Sequence, residues 1–146
     1  MLNIYLDFDG TMVEHSYPSV GRFNPGAVQV VKQLQEKGHK LILNTYRSEL
    51  GHKELEQAKN YLYYCPMLHI AMDTDFEFKY EVNSAKVGPY PYMLTDTLCY
   101  HQTQHGKTLF LDDHSAGIPL KPALSARGMM VDWNKVERQL KTFGVL

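Results

Sequence analysis

Short apolar runs rich in β-formers alternate along this chain with segments whose apolar positions recur at helical spacing. Residues 2–6 read Leu-Asn-Ile-Tyr-Leu, a run of β-formers that stops at Asp7, with Gly10 just beyond. That predicts a strand running into a loop. From Pro25-Gly26 onward the spacing changes, and Ala27, Val30, Val31 and Leu34 share one helical face. Proline suits the first turn and Gly38 the end, so a helix is predicted over 25–37. Lys40–Leu43 returns to strand character, centred on Leu41-Ile42-Leu43 and ending in Asn44-Thr45. Leu55, Ala58 and Leu62 then line one face of a second helix over 53–63.

A third strand is predicted over 68–72. Residues 73–106 carry Gly88-Pro89, Pro91 and many aromatics with no clean period. One irregular loop of that length would be unusual, so a short helix or hairpin is expected inside it. Regularity returns with Thr-Leu-Phe-Leu at 108–111, a strand that ends in Asp112-Asp113, and with another strand at Met129–Val131. Asp132 is placed to cap a last helix, Trp133–Thr142, with Val136 and Leu140 turned inward. Strands alternating with helices predict an open, mostly parallel α/β sheet in a single domain over 1–146. In such sheets the site lies outside the carboxyl ends of the strands. Asp7, Thr45 and Asp112 each follow an apolar strand, so they are expected to converge at one sheet edge.

Bulk properties exclude several functions. The chain has 146 residues, 44% hydrophobic and 21% charged, with a formal net charge of −1. That is enough to bury a core without disulfides or a structural metal, and it gives no bulk positive charge to hold nucleic acid. Cys65 and Cys99 fit neither a zinc site nor a redox pair by spacing. Asp7 and Asp9 interrupt the first apolar stretch, which is therefore not read as a signal peptide, and no apolar run reaches the length of a membrane span. A cytoplasmic protein with no membrane partner is expected.

The chemistry concentrates at the strand ends. Asp7 and Asp9 are two apart and point to the same side of an extended segment. Carboxylates held close together repel unless a cation or a shared proton relieves them. Asp112 and Asp113 add carboxylates at the neighbouring strand end. A hard divalent cation such as Mg2+ is the natural partner for this oxygen-rich cluster. The plain alternative is aspartates capping turns, which explains the Asp-Phe-Asp-Gly-Thr segment and the acid pair poorly when both follow apolar strands.

Asp7-Phe8-Asp9-Gly10-Thr11-Met12-Val13 resembles the first signature of the haloacid dehalogenase superfamily. Leu41-Ile42-Leu43-Asn44-Thr45 is similar to its second, and Phe110-Leu111-Asp112-Asp113 to its fourth. Val13-Glu14-His15 and Gly38-His39 are similar to small bacterial and phage members. The resemblance implies a three-layer, Rossmann-like α/β core and a Mg2+-dependent phosphomonoester hydrolase. Asp7 would be the nucleophile forming an aspartyl-phosphate, and Asp9 the general acid and base. Asp7, Asp9, Asp112 and Asp113 would hold the metal. Thr45 would bind a phosphoryl oxygen, with Phe8 and Gly10 through backbone amides and Asn44 and Arg47 nearby. The family also needs a lysine, and Lys86 is favoured over Lys107 and Lys79. Arg47 could meet a substrate phosphate at the mouth or be an exposed loop arginine. His114 stands where many relatives have arginine, and His15 occupies a position with no assigned role.

The gaps between signatures leave no room for a separate cap domain, so the resemblance implies an open site. A large phosphorylated substrate, or closure by a homo-oligomer, would fit that, with nucleic acid entering only as a substrate. The aromatics Tyr61, Tyr63, Tyr64, Tyr90 and Tyr92 read as packing and surface. The alternative function is a Mg2+-binding phosphate-recognition or regulatory domain with little turnover.

Overall fold

A computed structural model describes residues 1–64, 77–94, 97–98, 101–103, 106–124 and 127–146. The strands are β1 (Asn3–Leu6), β2 (Lys40–Leu43), β3 (Tyr80–Val82), β4 (Met93–Leu94), β5 (Thr97–Leu98), β6 (His101–Thr103), β7 (Gly106–Leu111), β8 (Leu120–Pro122) and β9 (Met129–Val131). The helices are α1 (Ala27–Glu36), α2 (Arg47–Leu50), α3 (His52–Tyr64) and α4 (Trp133–Thr142). The main sheet has the order β3-β2-β1-β7-β6. Its first four strands are parallel, and β6 closes one edge antiparallel to β7. The fold is a mixed α/β arrangement with a parallel sheet flanked by helices.

Alternation within each strand sorts the core. Ile4, Leu6, Leu41, Leu43, Leu109 and Leu111 join one apolar cluster with residues of α1, α3 and α4, among them Val31, Ala58 and Leu140. The opposite face presents Tyr5, Ile42 and Phe110, packed by Val87. Tyr5 stacks on Phe110 at 4.8 Å between ring centroids, and Tyr90 meets Phe110 edge-on at 5.2 Å. Among the described residues that second face is covered by the loop after β3, with no helix on it.

The strand expected over 68–72 lies outside the described residues. The outer neighbour of β2 is β3, inside the segment that showed no period, because three residues, Tyr80-Glu81-Val82, are too few to display one. The short antiparallel pairs β4–β5 and β6–β7 are the hairpins expected in that region. β9 pairs with β8 in a small separate sheet. At the last helix, the Asp132 side chain accepts from the Lys135 N–H at 3.3 Å, the predicted cap.

The register positions the site. Leu6 is paired with Leu43 on one side and Leu111 on the other, and Leu43 with Val82. The next row across the sheet is therefore Asn83, Asn44, Asp7 and Asp112. The N–H groups of Asn83, Asn44 and Asp7 continue the ladder at 3.0, 2.8 and 3.0 Å. No helix among the described residues is long and apolar enough to cross a membrane.

Candidate active site

After β1 the backbone curls tightly. The Phe8 carbonyl accepts from the N–H groups of Thr11, Met12 and Val13, while Phe8, Met12 and Val13 bury their side chains in the core. The Thr11 carbonyl accepts from Asn24 Nδ2 at 3.0 Å and from the Trp133 indole at 2.8 Å, so α4 and the segment before α1 both brace the turn. Gly10 has φ +80°, and an added Cβ would collide with the His15 imidazole and the Asp113 carboxylate. Glycine is required there on both counts. The Gly10 N–H donates to the Val13 carbonyl at 2.7 Å. The expectation that this amide binds phosphate is corrected, because the turn itself uses it. The N–H groups of Phe8 and Asp9 find no acceptor among the described residues.

Asp7 stands at the centre and is buried. Its Oδ1 lies 3.3 Å from Lys86 Nζ, and its Oδ2 accepts from the Thr11 hydroxyl at 3.3 Å. Lys86 Nζ also lies 2.8 Å from Asp112 Oδ2. Lys86 and Asp112 are almost wholly buried, 3% and 1% exposed, and the Tyr46 ring covers the ammonium at 4.6 Å. Lys79 is exposed, with its N–H on the Gln35 side chain. Lys107 is one residue before Thr108, which pairs with Asn3 at the far end of β1. The three candidate lysines are thus separated by position, and Lys86 is the one beside Asp7.

Charge in this cluster is unbalanced. Burial pushes the Asp7 carboxyl well above its ordinary range, and Asp112 and Asp113 push the same way against Lys86. Burial would lower the Lys86 ammonium, but Asp7 and Asp112 outweigh it and raise the group. Burial would raise Asp113, yet hydrogen bonds from His15 and Asp7 hold it below the usual range. His15 Nε2 is 2.9 Å from Asp113 Oδ2, and that bond raises the imidazole. His114 is 68% exposed, with Nδ1 at 3.5 Å from Asp113 and 3.7 Å from Asp112. Asp112, Asp113 and His114 bring ligand atoms within 4.8 Å of one another. With Asp7 beside them this is an oxygen-rich acidic cluster, and its donors fit a hard divalent cation.

Three expected binding residues have other partners. Asn44 is buried; its Nδ2 donates to the Val87 carbonyl at 2.8 Å, and its Oδ1 accepts from the Val87 N–H at 2.9 Å and from Asn83 Nδ2 at 3.1 Å. Its side chain is a strut for the loop that carries Lys86, which corrects its expected role in substrate binding. Arg47 is 1% exposed and grips Asp9 with both arms, Nε to Oδ2 at 2.7 Å and Nη2 to Oδ1 at 2.8 Å. Its remaining donors reach the carbonyls of Pro18, Ser19 and Glu54. Arg47 is therefore neither a mouth residue nor an exposed one. Thr45 is buried, with its hydroxyl accepting from the Arg47 N–H at 3.2 Å.

Thr11 is the site residue that the sequence reading passed over. Its hydroxyl reaches Asp7 and accepts from the Asp113 N–H at 3.2 Å, tying the two strand ends together. The residue lies inside the Asp7–Thr11 segment, which was the available signal, but its role depends on the curl of the turn.

No family model matches the chain, and no curated protein matches it. Among solved structures it is similar to a conserved protein coded by a locus of Bacteroides thetaiotaomicron. Identity is 27%, with 97% of this chain and 90% of that chain covered and a TM-score of 0.56. The likeness spans nearly the whole chain and agrees with a mixed α/β fold.

Proposed function

We propose that this chain is a Mg2+-dependent phosphomonoester hydrolase with a haloacid dehalogenase-like core. The observation that carries the reading is Lys86 Nζ, 3.3 Å from Asp7 and 2.8 Å from Asp112 at adjoining strand ends. A buried ammonium beside a buried carboxylate suits a nucleophile that must approach an anionic phosphate. Asp7 Oδ1 or Oδ2 attacks phosphorus, an O–P bond forms, and the ester P–O bond breaks. The leaving oxygen takes a proton from Asp9. Asp9 then removes a proton from water, which attacks the aspartyl-phosphate and frees Asp7. Lys86 balances charge on the transferring group, and the Thr45 hydroxyl and the Phe8 N–H are donors for its oxygens. Asp7, the Asp9 carbonyl, and Asp112 or Asp113 would hold Mg2+. When bound, the cation neutralises phosphate charge.

The substrate class is a phosphorylated molecule admitted through an open edge, and the working compartment is the cytoplasm. The test is Mg2+-dependent phosphate release from 4-nitrophenyl phosphate by the wild-type chain and by Asp7→Asn. Loss of release in the variant is expected, and an active, contaminant-free Asp7→Asn protein would overturn the reading. Labelling of Asp7 without steady-state release would favour a regulatory phosphate-binding domain instead.

A further inference from the structure

One buried and fully bonded side chain near the site is not used by the mechanism above. Arg47 is buried, yet every part of its guanidinium has a partner on a different segment. Nε and Nη2 bind Asp9, Nη2 also reaches the Ser19 carbonyl, and Nη1 reaches the carbonyls of Pro18 and of Glu54 near the start of α3. The rings of Phe8 and Tyr17 lie 5.4 and 5.1 Å from its central carbon. A guanidinium held on all sides cannot follow a substrate, and a rigid fork is a good device for fixing a carboxylate in one orientation. Asp9 itself is 17% exposed, against 1% for Arg47. Each carboxylate oxygen accepts at two lone-pair positions, so the fork leaves one on each oxygen free.

We propose that Arg47 is the positioning residue of the general acid: it aims the free edge of Asp9 at the leaving oxygen, and it makes that aim depend on the loop at Tyr17, Pro18 and Ser19. This rests on the reading of Asp9 as acid in an Asp7 phosphatase. It adds a residue to the proton transfer and separates that residue from phosphate binding, one of the two roles the sequence left open for Arg47. A misaimed acid harms esters whose alcohol leaves only with a proton, and harms little an ester whose phenolate leaves without one.

The experiment compares kcat/KM on benzyl phosphate and on 4-nitrophenyl phosphate, similar in size but opposite in leaving-group demand. This parameter covers the steps up to formation of the aspartyl-phosphate. In Arg47→Gln the benzyl-to-nitrophenyl ratio is expected to fall about 10²-fold, the lower range for a general acid. Arg47→Lys, which keeps the charge and a donor, is expected to fall between Arg47→Gln and wild type. Because Arg47 is buried, its variants can fail to fold. Tyr17→Leu, at a ring 46% exposed, is run beside them with melting curves and is expected to lower the same ratio severalfold. An unchanged ratio in the folded variants overturns the inference while leaving the phosphatase reading intact. A wild-type chain that cleaves neither ester overturns both.

Discussion

Asn44 holds Val87 by both of its backbone groups, accepting from the N–H at 2.9 Å and donating to the carbonyl at 2.8 Å. In effect the side chain extends the sheet by one rung beyond β2 and pins the loop whose preceding residue is Lys86. The Lys86–Asp7 contact is therefore supported by the Asn44 amide, which stands beside Asp7 in the same row across the sheet. Asn44→Ala leaves the Val87 groups without these partners, at a cost of about 2 kcal/mol. Urea unfolding should show that loss, and phosphate release should fall with it. A variant with unaltered midpoint and unaltered release would show that the loop needs no strut.

Lys86→Ala tests the centre of the cluster. It strips the buried Asp112 carboxylate of its cation and removes the charge beside Asp7. Breaking a buried pair from one side costs roughly 3–5 kcal/mol. Release of phosphate should fall about 10²-fold or more, the usual effect of deleting one transition-state donor. Lys107→Ala, at the far end of β7, should retain release. If the two variants lost activity equally, the assignment of the lysine would be wrong.

The pH dependence of stability follows from the charge imbalance. Asp7 is raised above its ordinary value of 3.8, so its stabilising contribution is complete below that value and is lost as pH climbs through its folded pKa. His15 is raised above 6.5, and its contribution is likewise complete below 6.5 and lost above. It is 41% exposed, so solvent reduces its share. Asp113 is lowered from 3.8 and has the opposite sign: its contribution is complete above that value and is lost only as pH falls below it. With a chelator present, the melting temperature should decline as pH rises above 6.5. Asp7→Asn should flatten that decline and melt higher at its alkaline end. Added Mg2+ should raise the wild type more than the variant, since a ligand bound only by the folded state stabilises it. A wild-type melting temperature that rose across this range would contradict the charge assignment.

Gly10→Ala should be costly although it adds a single methyl. The backbone there is left-handed, and the methyl would meet His15 and Asp113. About 1–2 kcal/mol is expected from the backbone alone, with more from displacing the Asp113 carboxylate. Denaturation should reveal the first. A weaker Mg2+ dependence of the melting temperature should reveal the second. Normal stability and normal Mg2+ response would mean that the turn can re-form around an alanine.

The sequence by itself determined the elements whose identity is written in local spacing. The apolar runs of β1, β2 and β7, the face Val30-Val31-Leu34 and the capped helix after Asp132 are all visible because short apolar runs and the three- or four-residue spacing of a helix face are local whatever the rest of the chain does. It also determined that Asp7 and Asp112 end their strands, and parallel pairing then brings them level. What the polar side chains there do is set by long-range contacts in the folded chain. Arg47 and Asp9 are 38 residues apart, and Asn44 and Val87 are 43. Those partnerships depend on how a turn curls and where a loop returns, which no short-range period encodes. For the same reason β3, three residues long, was hidden: its place beside β2 comes from pairing with a formed sheet edge, not from a pattern of its own.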